Sequence, residues 1–263
     1  MGAKSRFMWH DLMAADVEGA KKFYGELFGW HFKRGDAGEY EHIMAGEQGI
    51  GGIMQLDKKM GAPPHWLGYV TVDDVDASVA AIKQHGGKVH VPKIEIPEVG
   101  QFAITADPTG GVFSPMHYTG KDAGKPEANT PPGPWTFCWD ELWTSDPDAA
   151  AKFYASAFGW GVEHMEMPGF GRYTLLKRTG VKDAKGMDKS AGGVMKLPPN
   201  VPHSFWLAYV AVPNADATVE KAKKLGATLM APPMDIPNVG RFAVATDREH
   251  VPFAVLAPAA PAK

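Results

Sequence analysis

Apolar residues recur at helical spacing along the chain, and each such run is followed by short alternating segments. Ala20, Phe23, Tyr24, Leu27 and Phe28 share one face of a helix that Asp16 is placed to cap and Gly29 to stop. A second copy has the same layout, with Asp146 as cap, Pro147 at the first helical position, where proline is tolerated, and Gly159 at the stop. Short strands are predicted before these helices, at Phe7 to Met13 and at Thr136 to Trp143. After the first helix, GEYEHIMA and IGGIMQL alternate like strands separated by Gly-rich turns, with Gly49, Gly51 and Gly52 read as a turn before a strand. The order then restarts with strand WLGYVTV, helix DASVAAIKQHG, and strands KVHVPKIEI, GQFAITA and GVFSPMHY. Strand, helix and three strands therefore occur twice per half and four times per chain, which predicts an α+β fold with helices covering one face of curved, mostly antiparallel sheets.

The two halves are copies of one another. WHDLMAADVEGAKKFYGELFGWHF from Trp9 aligns with WDELWTSDPDAAAKFYASAFGWGV from Trp139, WLGYVTVDDVDASVAAIKQHGG with WLAYVAVPNADATVEKAKKLGA, and IPEVGQFAITAD with IPNVGRFAVATD. The displacement grows from 139 − 9 = 130 to 206 − 66 = 140, so a longer loop is expected in the second copy, within GRYTLLKRTGVKDAKGMDKSAGG. Thr119 to Pro134 is rich in Pro, Gly and charge and reads as a linker between a first domain at 1–118 and a second at 135–263.

Composition narrows the function. A net charge of −3 over 263 residues leaves no global basic field, so nucleic acid and anionic membrane are not expected partners. A single cysteine, Cys138, excludes an intrachain disulfide and a cysteine-built zinc cluster; it reads as a small buried residue in a strand. No segment approaches the roughly 20 apolar residues of a membrane span, and no signal-like apolar run opens the chain, so a cytoplasmic protein is expected.

These phrases, in order and duplicated, resemble the vicinal oxygen chelate superfamily, which includes glyoxalase I, extradiol dioxygenases, and bleomycin and fosfomycin resistance proteins. The resemblance rests on AD-x6-FYGELFGW and SD-x6-FYASAFGW, on VDDVDASVAAIKQHGG and on ADPTGGVF, and it covers the chain outside the linker. GGIMQL and GGVMKL, closing the first unit of each half, resemble two-domain lactoylglutathione-lyase-like proteins. The resemblance implies two tandem glyoxalase-like domains of four βαβββ units. In metal-using members the ligands face a cup of eight strands. Carried over, the first-strand ligand falls on Trp9 and Trp139, that of the second unit on Leu67 and Leu207, and the terminal carboxylate on Ser114 and Ala254. None of these side chains supplies the nitrogen and carboxylate donors such sites need. His10, next to Trp9, should point to the opposite face of its strand. No metal and no cofactor are therefore expected.

With Trp9 inward, alternation places Asp11 and Met13 on the same face, and Trp139, Glu141 and Trp143 in the copy. Tyr69 and Tyr209 share parity with the second-unit positions, and Met116 with Ser114. An apolar, aromatic cup around one carboxylate per domain suits a small-molecule ligand, unless bulky side chains simply fill it. Binding of an apolar or aromatic molecule is thus the expected function. The alternative is a metal-independent lyase, isomerase or hydrolase related to lactoylglutathione lyase, with Asp11 or Glu141 as acid or base. A homodimer remains open.

Overall fold

The computed structural model describes residues 5–35, 40–120, 123, 133–167, 171–199 and 201–259. The first half runs β1 (Phe7–Ala14), α1 (Val17–Phe28), β2 (His31–Arg34), β3 (Glu41–Ala45), β4 (Gln48–Gln55), β5 (His65–Thr71), α2 (Val75–Gln84), β6 (Lys88–Ile96), β7 (Gly100–Ala106) and β8 (Val112–Tyr118). The second half repeats it as β9 (Phe137–Thr144), α3 (Pro147–Phe158), β10 (Gly161–Met167), β11 (Gly171–Lys182), β12 (Asp188–Lys196), β13 (Phe205–Ala211), α4 (Ala215–Lys224), β14 (Thr228–Ile236), β15 (Gly240–Thr246) and β16 (Pro252–Pro258). The strands form two eight-stranded sheets, ordered β2-β3-β4-β1-β5-β8-β7-β6 and β10-β11-β12-β9-β13-β16-β15-β14. Both are mixed, because β1 runs parallel to β4, β5 to β8, β12 to β9 and β13 to β16. No described helix is long and apolar enough to cross a membrane.

The helices form where the pattern places them. Asp16 accepts the Gly19 amide and Asp146 the Ala149 amide, each satisfying an N-terminal donor, while Gly29 and Gly159 close their helices in the left-handed conformation.

The extra residues of the second copy lie in the expected segment, where they lengthen a hairpin: β11 has 12 residues against 5 in β3, and the turn after it spans 183–187 against 46–47. Two expectations are corrected. Gly49, Gly51 and Gly52 lie inside β4, with Gly51 and Gly52 buried. Cys138 is partly exposed in β9, its thiol donating to the Tyr209 carbonyl at 3.4 Å. The predicted linker at 119–134 lies largely outside the described residues.

By contact the chain forms two compact units, each taking βαβββ segments from both halves. One comprises Met1–Met8, Gly68–Thr130 and Asp140–Trp206; the other comprises Trp9–Leu67, Pro131–Trp139 and Leu207–Lys263. The duplicated helices show what holds each unit. In the second, the Tyr24 hydroxyl donates to Asp247 Oδ2 at 3.0 Å and accepts the Trp66 indole N–H at 3.3 Å. In the first, Tyr154 donates to Asp107 Oδ2 at 2.9 Å and accepts from Trp206 at 2.9 Å. The other carboxylate oxygen of each aspartate collects turn amides, from Thr109 and Gly111 on Asp107 and from Glu249 and Val251 on Asp247. Burial lifts both carboxyls above the ordinary value of 3.8 and pushes both phenols well up. Around Tyr24 lie Phe23, Leu27 and Phe28, all at 3% exposure or less, and burying each such side chain contributes about 1.5–3 kcal/mol.

Candidate functional site

In the second unit, β1 presents Trp9, Asp11 and Met13 on the face away from α1. Asp11 is 4% exposed, and burying a carboxylate requires donors. Its Oδ1 accepts the Trp9 indole N–H at 2.9 Å and the Tyr40 hydroxyl at 2.9 Å. Burial and the adjacent Asp11 charge hold the Tyr40 phenol far above its ordinary range, so it serves as a proton donor in this bond. His42 stands edge-on to both rings, with centroids 6.0 Å from Trp9 and 5.2 Å from Tyr40. His42 and Met44 follow Tyr40 at alternate positions, while Glu41 turns the other way to pair with Lys21 on α1 at 2.9 Å.

In the first unit, β9 and β11 build a counterpart. Glu141 Oε1 accepts the Trp143 indole N–H at 2.6 Å, and Oε2 accepts the Tyr173 hydroxyl at 2.6 Å. The acidic residues are equivalent and so are the tyrosines, but the indole comes from opposite sides. Trp9 precedes its carboxylate by two residues and Trp143 follows its own by two, each i ± 2 on one strand face. Trp143 also packs against Phe205 at 5.6 Å.

Tyr40 and Tyr173 were absent from the expected site, and the sequence does carry a signal for them. Gly52 pairs with Asp11 across the β1–β4 ladder, and Gly193 pairs with Glu141 across β9–β12. A Cβ at Gly52 would overlap the Tyr40 hydroxyl and crowd Asp11, and one at Gly193 would overlap the Tyr173 hydroxyl. The preceding Gly51 and Gly192 similarly leave room for the carbonyls of His10 and Asp140. The duplicated Gly-Gly of GGIMQL and GGVMKL therefore opens the channel that each tyrosine crosses to reach its carboxylate.

The other expected residues are placed as follows. Tyr69 pairs with Ser114 across β5 and β8 and meets Phe102 edge-on at 5.8 Å, and Phe102 pairs with Met116. Ser114 is fully buried, its hydroxyl donating to the Ala103 carbonyl at 2.8 Å. Tyr209 pairs with Ala254 and lies 6.4 Å from Phe242. Of the ten residues, only Trp9 and Trp139 are partly exposed; Asp11, Met13, Tyr69, Ser114, Met116, Glu141, Trp143 and Tyr209 are all buried. His10 is buried with its ring 4.1 Å from Phe137, which packs against Trp30 and Trp66.

The superfamily's metal chemistry needs several imidazole and carboxylate donors converging on one point. At the carried-over positions stand indoles, two buried leucines, a hydroxyl committed to a carbonyl, and an alanine, so the donor set does not fit a divalent cation. Among the described residues, no group of three or more His, Cys, Asp or Glu side chains is placed to hold a metal. Two surface hollows, of about 460 and 480 Å³, lie elsewhere, beside Asp146, Arg172 and Lys196 and beside Val162, Lys177 and Met187. The charged groups of the first are already engaged, Arg172 with Asp148 at 2.6 Å and Lys196 with the Ser145 carbonyl at 2.6 Å.

Four βαβββ segments, paired across two mixed sheets, define a glyoxalase-type fold. The sequence model of the Glyoxalase/Bleomycin resistance protein/Dioxygenase superfamily matches residues 6–113 and again 137–255, and the chain belongs to this superfamily. Among similar proteins, CFP32 of Mycobacterium bovis, provisionally designated a glyoxylase, is 36% identical over 258 residues, covering 95% of this chain and 94% of that one. The anthracycline biosynthesis protein DnrV of Streptomyces peucetius is 28% identical over 267 residues, covering 94% and 91%. The Mn(II)-bound glyoxalase from Novosphingobium aromaticivorans superimposes with a TM-score of 0.60 at 16% identity, covering 97% of this chain and 82% of that one, a likeness of fold.

Proposed function

We propose that this protein binds a small aromatic or apolar molecule without a metal ion. The observation that carries this reading is Trp9, a partly exposed indole at the first-strand position where metal-using relatives place a ligand, fixed by its N–H to a buried carboxylate. A fixed indole offers a preorganised stacking surface, and an anchored ring loses little freedom on binding. Asp11 and Glu141 act in this reading as anchors for aromatic rings. Each receives an indole N–H and a phenol hydroxyl, and so holds two rings in place. Similarity to a protein named for anthracycline biosynthesis supports a flat aromatic ligand.

The test is a thermal-shift panel of flat aromatic molecules, including the dihydroxyanthraquinone quinizarin, on protein treated with EDTA. A ligand that binds only the native state raises the apparent Tm, by about 2.7 kcal/mol of stabilisation at a hundredfold excess over Kd. Shifts that survive chelation support the reading. A flat panel, or shifts that appear only with added Mn, Fe, Ni or Zn, overturns it.

A further inference from the structure

Resting on the reading above, we infer that the flat aromatic ligand stacks in the first half of the chain, on the Trp9 indole over Gly49 and between Met44 and His42, and that the equivalent place in the second half, which lacks this thioether, imidazole and bare backbone, does not take it. The two places can be compared residue by residue because strand register fixes the correspondence. In the first half His42 pairs with Gly52 and Met44 with Gly49. In the second half Leu175 pairs with Gly193 and Lys177 with Ser190. Thus Tyr40 answers to Tyr173, His42 to Leu175, Met44 to Lys177, and Gly49 to Ser190.

The substitutions change what each surface offers. In the first half Trp9, Tyr40, His42 and Met44 are all partly exposed and Gly49 is exposed. A Cβ at Gly49 would sit 3.6 Å from the Trp9 ring and 3.7 Å from the Met44 sulfur, so bare backbone lies against the edges of both groups. The ladder is irregular between Ile43 and Met44, and such bulges re-aim side chains next to binding sites. Indole, thioether and imidazole around bare backbone suit a flat, polarisable ring, with His42 able to bond a phenol or carbonyl oxygen on it. In the second half the anchoring indole is Trp143, 5% exposed and covered by Phe205, with Tyr173 and Glu141 equally buried. Lys177 and Ser190 replace the thioether and the bare backbone, and Lys177 lies 3.8 Å from Glu163. The carboxylates are equally buried, Asp11 at 4% and Glu141 at 5%, and Trp139, Leu175, Lys177 and Ser190 are partly exposed, so the halves differ in the groups they offer a flat ring and not in access.

Gly49→Val and Ser190→Val test this, measured by titration of quinizarin into the full-length chain with intrinsic tryptophan fluorescence as readout. Valine favours a strand, and at Gly49 its Cβ meets neighbours only at ordinary contact distance, so folding is retained and Tm checks it. Gly49→Val is expected to weaken binding at least tenfold, while Ser190→Val leaves Kd within twofold of wild type. The reverse pattern, or equal loss in both variants, overturns the assignment while leaving aromatic binding intact. Absence of quinizarin binding to the wild type overturns the assignment together with the reading on which it rests.

Discussion

Gly193→Ala probes the contact on which the second cluster depends. The added methyl would occupy the position of the Tyr173 hydroxyl and reach into its ring. Tyr173 is 6% exposed, so the ring has little space to retreat, and its 2.6 Å bond to Glu141 must open or β12 must move off β11. Overpacking costs about 1–3 kcal/mol, and loss of a hydrogen bond to a buried carboxylate about 1.5–3 kcal/mol, for a total of about 2.5–6 kcal/mol. Tyr173→Ala alone loses the same bond and leaves a cavity, at about 3–5 kcal/mol. The two substitutions should not add. Once the phenol is absent the methyl has room, so the double variant should lie within about 1 kcal/mol of Tyr173→Ala, a strong coupling for neighbouring sites. Urea unfolding followed by far-UV circular dichroism gives these values, with m compared across the four proteins to confirm that the denatured states match. Additivity to within about 0.5 kcal/mol, or a cost below about 1 kcal/mol for Gly193→Ala, would refute the idea that the glycine exists to admit the tyrosine.

Other outcomes follow from the same geometry. Tyr24→Phe and Tyr154→Phe each remove a hydroxyl bonded to a buried aspartate, and each should lower stability by about 1.5–3 kcal/mol in urea titrations, with values below about 0.5 kcal/mol contradicting the assignment. Asp107 has its folded pKa raised by burial, so the folded state holds its proton at pH values where the unfolded state has released it. Its stabilising contribution is complete below the ordinary value of 3.8 and declines as pH rises through the folded value. Wild type should therefore lose stability relative to Asp107→Asn over that rise, and a difference moving the other way would disprove the sign. Trp9→Phe keeps an aromatic ring but removes the N–H that Asp11 accepts; ligand binding should weaken severalfold while Tm falls only slightly, since Tyr40 still donates to the carboxylate.

Much of the fold could be read because it is written in local signals. Asp16 and Asp146, Gly29 and Gly159, and the apolar face between them specify two helices from neighbouring residues alone. Alternation put Trp9 on the face of Asp11 and both Trp139 and Trp143 on that of Glu141, but which indole bonds its carboxylate, Trp9 in one half and Trp143 in the other, was not legible. Signals that depend on strand register were not legible. Tyr40 lies 29 residues from Asp11 and Tyr173 lies 32 from Glu141, and the β1–β4 and β3–β4 ladders in one half, β9–β12 and β11–β12 in the other, bring them together. The Gly-Gly doublets looked like turn residues because glycine in a strand and glycine in a turn are alike in sequence; the difference is the ring that crosses them. Nor does any local pattern pair Tyr24 with Asp247, 223 positions away, or Tyr154 with Asp107. The added residues of the second half were placed in the right segment, but their extension of β11 was not legible, since a lengthened hairpin and a lengthened loop shift an alignment equally.

The central claim is a metal-independent aromatic site, and a calorimetric titration of quinizarin into the full-length protein, before and after dialysis against EDTA, tests it most directly. Saturable binding with the same Kd in both samples is the predicted result; binding that disappears on chelation and returns with a divalent transition metal would contradict it.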